Sequence, residues 1–317
     1  MKPGWKRRAR LAPATSLAAV IALLAMVAIG IAVTRDRPTA PAPKADATIA
    51  RPALWRIADA DTTIYLFGTI HALPANYRWR SETIDAAIDA SDELVLEIAD
   101  GEQVDEAALF GRMATDEPPD EPLIFRIDRD LVEAFGKTVA QTDLSRSQLD
   151  TMEDWAAAIL IANAIGERAG LAQANGIEPA LDARFRIAGK PVSALETTAQ
   201  QFALFDGLPD AAQRAFLIRT IATAGDSDAR MTALVDAWAG GRVDRLATLV
   251  ADDVGAIPGL APVLLTNRNR RWADILARRL DQPGTLFVAV GAAHLVGSQS
   301  VIEDLTAATG LTVERLQ

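Results

Sequence analysis

Thr62-Thr-Ile-Tyr-Leu-Phe-Gly-Thr-Ile-His71 and Thr285-Leu-Phe-Val-Ala-Val-Gly-Ala-Ala-His294 are the two stretches whose reading decides the fold. Each is a short β-rich run, then a glycine, then a histidine three residues after that glycine. The chain has only two histidines, and both stand in this setting. Glycine lets a chain turn sharply off a strand and lets other groups approach its backbone closely. The motif glycines Gly68 and Gly291 are therefore predicted to deliver both imidazoles to the carboxyl edge of a sheet, where open α/β folds bind ligands. For the histidines to meet, the strands over 62–67 and 285–290 must be parallel near neighbours.

Outward from these runs, the pattern alternates strands with helices. Leu54–Ala58 is β-rich and joins the 62–67 run through Asp59-Ala60-Asp61, which predicts an antiparallel hairpin. Ser81–Ala90 has helical spacing behind a serine cap. Glu93-Leu-Val-Leu-Glu-Ile98 and Thr285–Val290 read as central strands covered on both faces. A helix over Ala180–Ala188 ends at Gly189 and leads into a strand at Lys190–Leu195. Val301–Thr309 reads as a helix and Leu311–Leu316 as the last strand. Two helical blocks, at about 101–175 and 198–280, are too long for simple crossovers and are predicted to form a cap. The expected fold class is α/β: a mostly parallel central sheet with a large helical cap, preceded by an N-terminal hydrophobic helix.

That N-terminal helix is expected because Leu11 to Thr34 carries no charge. Its apolar centre, Ser16–Val33, approaches the ~20 residues needed to span a bilayer. Lys2, Lys6, Arg7, Arg8 and Arg10 precede it, which keeps the N-terminus cytoplasmic. Residues 1–34 are predicted as a single-pass signal anchor in the cytoplasmic membrane and 35–50 as a Pro/Ala-rich linker. Residues 51–317 are then a periplasmic or extracytoplasmic body. Secretion after signal cleavage is the alternative.

Composition narrows the chemistry. The 317 residues carry a net charge of −10, which argues against a general nucleic-acid partner. There is no cysteine, so disulfides, thiol nucleophiles and thiolate metal sites are excluded together. No Gly-rich phosphate loop, Gly-x-Ser-x-Gly elbow or HExxH motif is present. Glu97 and Glu196 do fall at the ends of apolar runs, Leu94-Val-Leu-Glu97 and Pro191-Val-Ser-Ala-Leu-Glu196. With His71 and His294 they would face one cleft. Two imidazoles plus carboxylates suit a divalent ion such as Mn, Co or Zn. His71, His294 and Glu97 are the expected ligands, and Glu196 the group that activates water. A lone histidine or glutamate at a strand end is more often a packing or salt-bridge residue; the matched pair of histidines shifts the balance toward function. Thr266-Asn-Arg-Asn-Arg-Arg-Trp272 is a basic run in an acidic body. It reads either as a solvated helix face or as a cluster in which Arg268 orients a carboxylate or polarises a carbonyl. Arg78 and Arg80 are weaker candidates for the same task.

At these residues the chain resembles the TraB/GumN family, which includes the Tiki-type proteases. The resemblance runs from about residue 52 to 316. It rests on Leu66-Phe-Gly-Thr-Ile-His71-Ala-Leu-Pro74, Leu94-Val-Leu-Glu97, Asn175-Gly-Ile-Glu178, Gly189-Lys-Pro-Val192, Leu195-Glu-Thr197 with Gln200 and Gln201, Arg268-Asn269 with Trp272, and Val288-Ala-Val-Gly-Ala-Ala-His294-Leu-Val-Gly297. It implies a fold related to erythromycin-esterase-like and haem-uptake ChaN-like proteins. For the Tiki branch it implies divalent-metal-dependent hydrolysis of peptides. Two departures stand out: Glu153-Asp154-Trp155 where Lys-Pro-Trp is common, and Glu178 where aspartate is common. The expected function is a metal-dependent, peptidase-like hydrolase acting on a peptide or small-molecule substrate. A metal-independent esterase using His71 as base, and a haem- or metal-complex-binding protein, are the alternatives.

Overall fold

The computed structural model describes residues 48–75, 77–99 and 105–317. The expected anchor and nearly all of the linker lie outside these residues. No helix among the described residues is long and apolar enough to cross a membrane.

Among the described residues eight strands form, in chain order: β1 (Thr48–Ile49), β2 (Leu54–Ala58), β3 (Thr62–Thr69), β4 (Tyr77–Arg78), β5 (Glu93–Leu96), β6 (Val192–Ala194), β7 (Gly284–Gly291) and β8 (Glu314–Arg315). Strands β1 and β4 make a small parallel pair of their own. The other six form one sheet in the order β6-β5-β7-β3-β2-β8. Four consecutive strands, β6, β5, β7 and β3, are mutually parallel, with β6 at the sheet's edge. β2 runs antiparallel to β3 and to β8. The β2–β3 hairpin is closed by Asp59, whose Oδ1 accepts from the main chain of Asp61 and Thr62 at 3.1 and 2.8 Å. Of the expected final strand over 311–316, Glu314 and Arg315 pair with β2, and the Leu316 N–H donates to the Leu54 carbonyl at 2.8 Å. The sequence there alternates, but the strand lies at the edge, with β2 as its one neighbour.

The alternation of side chains along the central strands divides the core in two. Ile64, Leu66, Leu286, Val288 and Val290 face a cluster completed by Trp272, Leu276, Val301 and Leu305. Phe67, Phe287 and Ala289 face the opposite side, against Ile84, Ile88, Leu181, Phe185, Leu234 and Trp238. Strands buried on both faces have no polar alternation, which is why 285–290 reads as an unbroken apolar run.

A third cluster contains no residue of the six-stranded sheet. Phe110, Phe135, Trp155, Phe202, Phe205 and Phe216 fill it, drawn from helices Glu106–Met113, Val132–Ala140, Asp154–Arg168, Thr198–Asp206 and Asp210–Thr223. Trp155 sits among Phe110, Phe202 and Phe205, with ring centroids 5.5 to 6.4 Å apart. The helix Asp154–Arg168 carries apolar residues on nearly all its faces, and eleven of its residues are buried. A helix hydrophobic all round belongs inside a core of its own.

Candidate active site

Because β6, β5, β7 and β3 are parallel, their carboxyl ends share one edge. At that edge stand Leu195-Glu196 after β6, Glu97 after β5, Gly291 as the last residue of β7, and Ile70-His71 after β3. Main-chain bonds from Leu195 to Leu96 and from Glu196 to Glu97, both 2.9 Å, extend the β5–β6 pairing past the strands and set the two glutamates side by side.

The two Gly-x-x-His motifs are not in step. Gly68 pairs with Val290, and Thr69 pairs with Gly291, so the motifs are offset by one residue. The histidines consequently differ. His294 lies in a 3-10 turn, Ala292–Leu295, and is wholly buried. The residues just after His71 form no helix. Its chain bends into an isolated bridge between Leu73 and Ala172, and the His71 side chain stays 13% exposed. His71 is thus the imidazole on the outer side of the cluster.

Gly291 is the meeting point. A Cβ there would lie 2.9 Å from Glu97 Oε1, 3.4 Å from His71 Nε2 and 3.7 Å from His294 Cδ2. Its φ is ordinary, −49°, so the demand is for space rather than for a left-handed conformation. The Gly291 N–H donates to Glu97 Oε1 at 2.6 Å. Gly68 is needed for a related reason: a Cβ there would come within 3.0 Å of Ala292 in the facing turn.

Each imidazole is anchored through Nδ1. His71 Nδ1 lies 2.7 Å from Glu178 Oε1, at the start of helix Ile177–Ile187. His294 Nδ1 lies 2.5 Å from Asn269 Oδ1, and the Asn269 amide donates to the Gln299 carbonyl at 2.6 Å. Arg268 Nη1 stands 3.1 Å from His294 Nε2. Arginine can only donate, so Nε2 accepts and the ring proton of His294 is on Nδ1.

Arg268 binds the site together. Its Nη2 donates to Glu97 Oε2 at 2.9 Å, and its Nε donates to both oxygens of Glu196 at 3.2 and 3.0 Å. Its guanidinium carbon lies 4.6 Å from the centre of the Trp272 ring, which in turn packs on His294 at 4.4 Å. Glu196 also accepts from Arg271 and from Trp272 Nε1, each at 3.1 Å, and Gln201 reaches both glutamates at 3.3 Å. The basic run 266–272 is divided between an inward and an outward face. Helix Asn267–Arg279 turns Arg268, Asn269 and Trp272 inward and leaves Arg270 outside. Arg78 lies in the small β1–β4 pair and Arg80 pairs with Asp85 at 2.6 Å on the surface, so neither is brought to the cluster.

The charges follow from these contacts. Burial lowers the His71 pKa, but Glu178, with Glu97 adding, outweighs it and holds the imidazole up at about 9. Burial and Arg268 together push His294 down to about 3. Burial raises the Glu97 carboxyl, while His294, Arg268, His71 and the Gly291 N–H bring it down to about 2. One imidazole is charged, the other neutral, and the carboxylate between them ionised. Among the described residues, no group of three His, Asp or Glu side chains stands ready to hold a metal ion. His71, Glu97 and His294 surround Gly291, but the Arg268 guanidinium sits against His294 Nε2.

Sequence reasoning gave no role to Glu178, Asn269, Trp272 or Gln201. Their signal was adjacency to motif residues, Gly176-Ile-Glu178 and Arg268-Asn269. What was missing was the docking that sets them against the histidines. A family model described as the TraB/PrgY/gumN family matches residues 53–315. No curated protein matches the chain, and no solved structure matches it.

Proposed function

The chain belongs to the TraB/PrgY/gumN family, and from that premise and the geometry of the sheet edge we propose a hydrolase that cleaves peptide bonds with the help of a divalent cation. The anchoring of the two imidazoles carries the reading. Glu178 and Asn269 occupy the two Nδ1 atoms, which turns His71 Nε2 toward Gly291 and His294 Nε2 toward Arg268. Histidines that ligate metals are typically oriented by a carboxylate or carbonyl on the other ring nitrogen.

Two imidazoles and a carboxylate around Gly291 are donors that suit an ion such as Mn, Co or Zn, which His71, His294 and Glu97 would hold. When bound, such an ion supplies Lewis acidity toward a carbonyl and toward water. The protein's own groups then divide the work. Glu97, at about 2, is too weak a base to take a proton near neutral pH and contributes charge. Arg268 keeps Glu97 ionised, its N–H groups being committed to Glu97, Glu196, His294 and the Leu264 carbonyl. Glu196 was expected to activate water. It is read here as the anchor of Arg268, because Arg268, Arg271, Trp272 and Gln201 all donate to it.

One observation favours a second reading, hydrolysis without a metal. Arg268 occupies His294 Nε2, and His71 beside Glu178 carries a proton that it can donate to a leaving group. Metal content and titration calorimetry on wild type and His71→Ala, with peptide-library digestion with and without chelator, separate the two. The leading reading expects one bound ion and ion-stimulated cleavage, both lost in His71→Ala. Cleavage that persists in chelator, with no ion bound, would overturn it in favour of the second.

A further inference from the structure

Arg268 touches two of the three side chains assigned to the cation, His294 at its Nε2 and Glu97 at one carboxylate oxygen. Nη1 lies 3.1 Å from His294 Nε2, and Nη2 lies 2.9 Å from Glu97 Oε2. A guanidinium stays protonated at any pH the fold meets, so its charge and its N–H groups compete directly with an incoming ion. The same side chain has a second set of acceptors that no ion requires. Glu196 faces Nε at 3.0 Å and Nη2 at 2.8 Å, and it is itself fixed by Arg271 and Trp272. The backbone that carries Arg268 is irregular at this point. Pro262–Thr266 is a π-helical turn, and Nη1 also donates to the Leu264 carbonyl within it, at 3.1 Å. Such turns hold one residue more than an α-turn and are frequent at functional sites.

We propose that Arg268 is the resident counter-cation of the centre. With no divalent ion bound it neutralises Glu97 and fills His294 Nε2. When an ion binds, it gives up both and stays on Glu196. This rests on the cation reading above. It makes ion affinity a competition with one of the protein's own side chains and gives buried Glu196 its task, holding the displaced guanidinium.

The test is calorimetric titration of Mn²⁺, Co²⁺ and Zn²⁺ into the full chain as wild type, Arg268→Gln and Arg268→Lys, with thermal unfolding of each as a check on folding. Removing the charge is expected to tighten binding at least about tenfold in Arg268→Gln. Arg268→Lys keeps the charge but not the fork, and an intermediate gain is expected. If wild type binds an ion and both variants bind no tighter, the competition is refuted and the cation reading stands. If wild type binds none of the three ions, the cation reading fails and this inference fails with it. Should the variants not fold, a crystal structure of ion-loaded wild type decides. A guanidinium withdrawn from His294 Nε2 and retained on Glu196 supports the proposal, and one still seated on Nε2 overturns it.

Discussion

The proton on His71 depends on a residue 107 positions away in the chain. His71 and His294 share a motif, yet one pKa is raised to about 9 and the other lowered to about 3, because Glu178 outweighs burial at the first while burial, with Arg268 adding to it, acts on the second. The sign of the consequence is fixed. A group whose pKa is higher folded than unfolded stabilises the fold fully below its unfolded value, here about 6.5, and the benefit disappears as pH rises through about 9. Wild type should therefore lose on the order of 3 kcal/mol from this group between pH 6.5 and 9. Glu178→Gln removes the leading cause of the rise, so His71 should titrate at a lower pH and most of that alkaline loss should disappear. Urea unfolding of both proteins across this range, with NMR titration of His71, measures it. An equal alkaline loss in both would rule out Glu178 as the cause. The glycines at this scale are legible from the sequence, because a Gly three residues before each of two histidines is a local pattern. The difference between the histidines is not, since it arises from partners on other elements.

At the scale of elements, the turn before helix Ile177–Ile187 does for His71 what the Gly291 turn does for His294. Asn175 Nδ2 donates to the Leu73 carbonyl at 3.1 Å, and the Ile177 N–H reaches the Ile70 carbonyl at 3.4 Å. Gly176 passes so close to the His71 main chain that a Cβ would fall 2.2 Å from its carbonyl oxygen. Backbone cannot yield as a flexible side chain can. Gly176→Ala is therefore expected to lift the turn off His71, cost about 1–3 kcal/mol, and carry Glu178 out of contact so that the His71 pKa falls. Denaturant unfolding and the same NMR titration check both parts. A variant of wild-type stability with His71 unmoved would show that this turn does not position the site. The strands and most helices could be read from periodicity, and helix Glu82–Ala90 even from its Ser81 cap, whose side chain accepts from Ile84. The π-helical turn at 262–266 and the one-residue offset of β3 against β7 have no such local mark. Both are settled by how the helices and strands pack.

At the scale of the whole molecule, a basic, apolar head precedes an acidic body. If the head is an uncleaved anchor, the full chain should fractionate with membranes, and protease added from outside the cytoplasmic membrane should digest the body in intact spheroplasts. A mature N-terminus mapped near residue 35 or later would show cleavage instead. The sequence by itself determined the α/β class and set His71, His294, Glu97 and Glu196 at the ends of apolar strands. These follow from burial on two faces and from glycine at strand ends, which are properties of short segments. Only the tertiary structure decided that Glu178 pairs with His71, that Asn269 fixes the tautomer of His294, and that Arg268 bridges two glutamates and an imidazole. Those contacts join segments up to 171 residues apart. They exist because burying charged groups is costly unless they pair, and which groups pair is set by how the helices dock on the sheet rather than by the sequence around each residue.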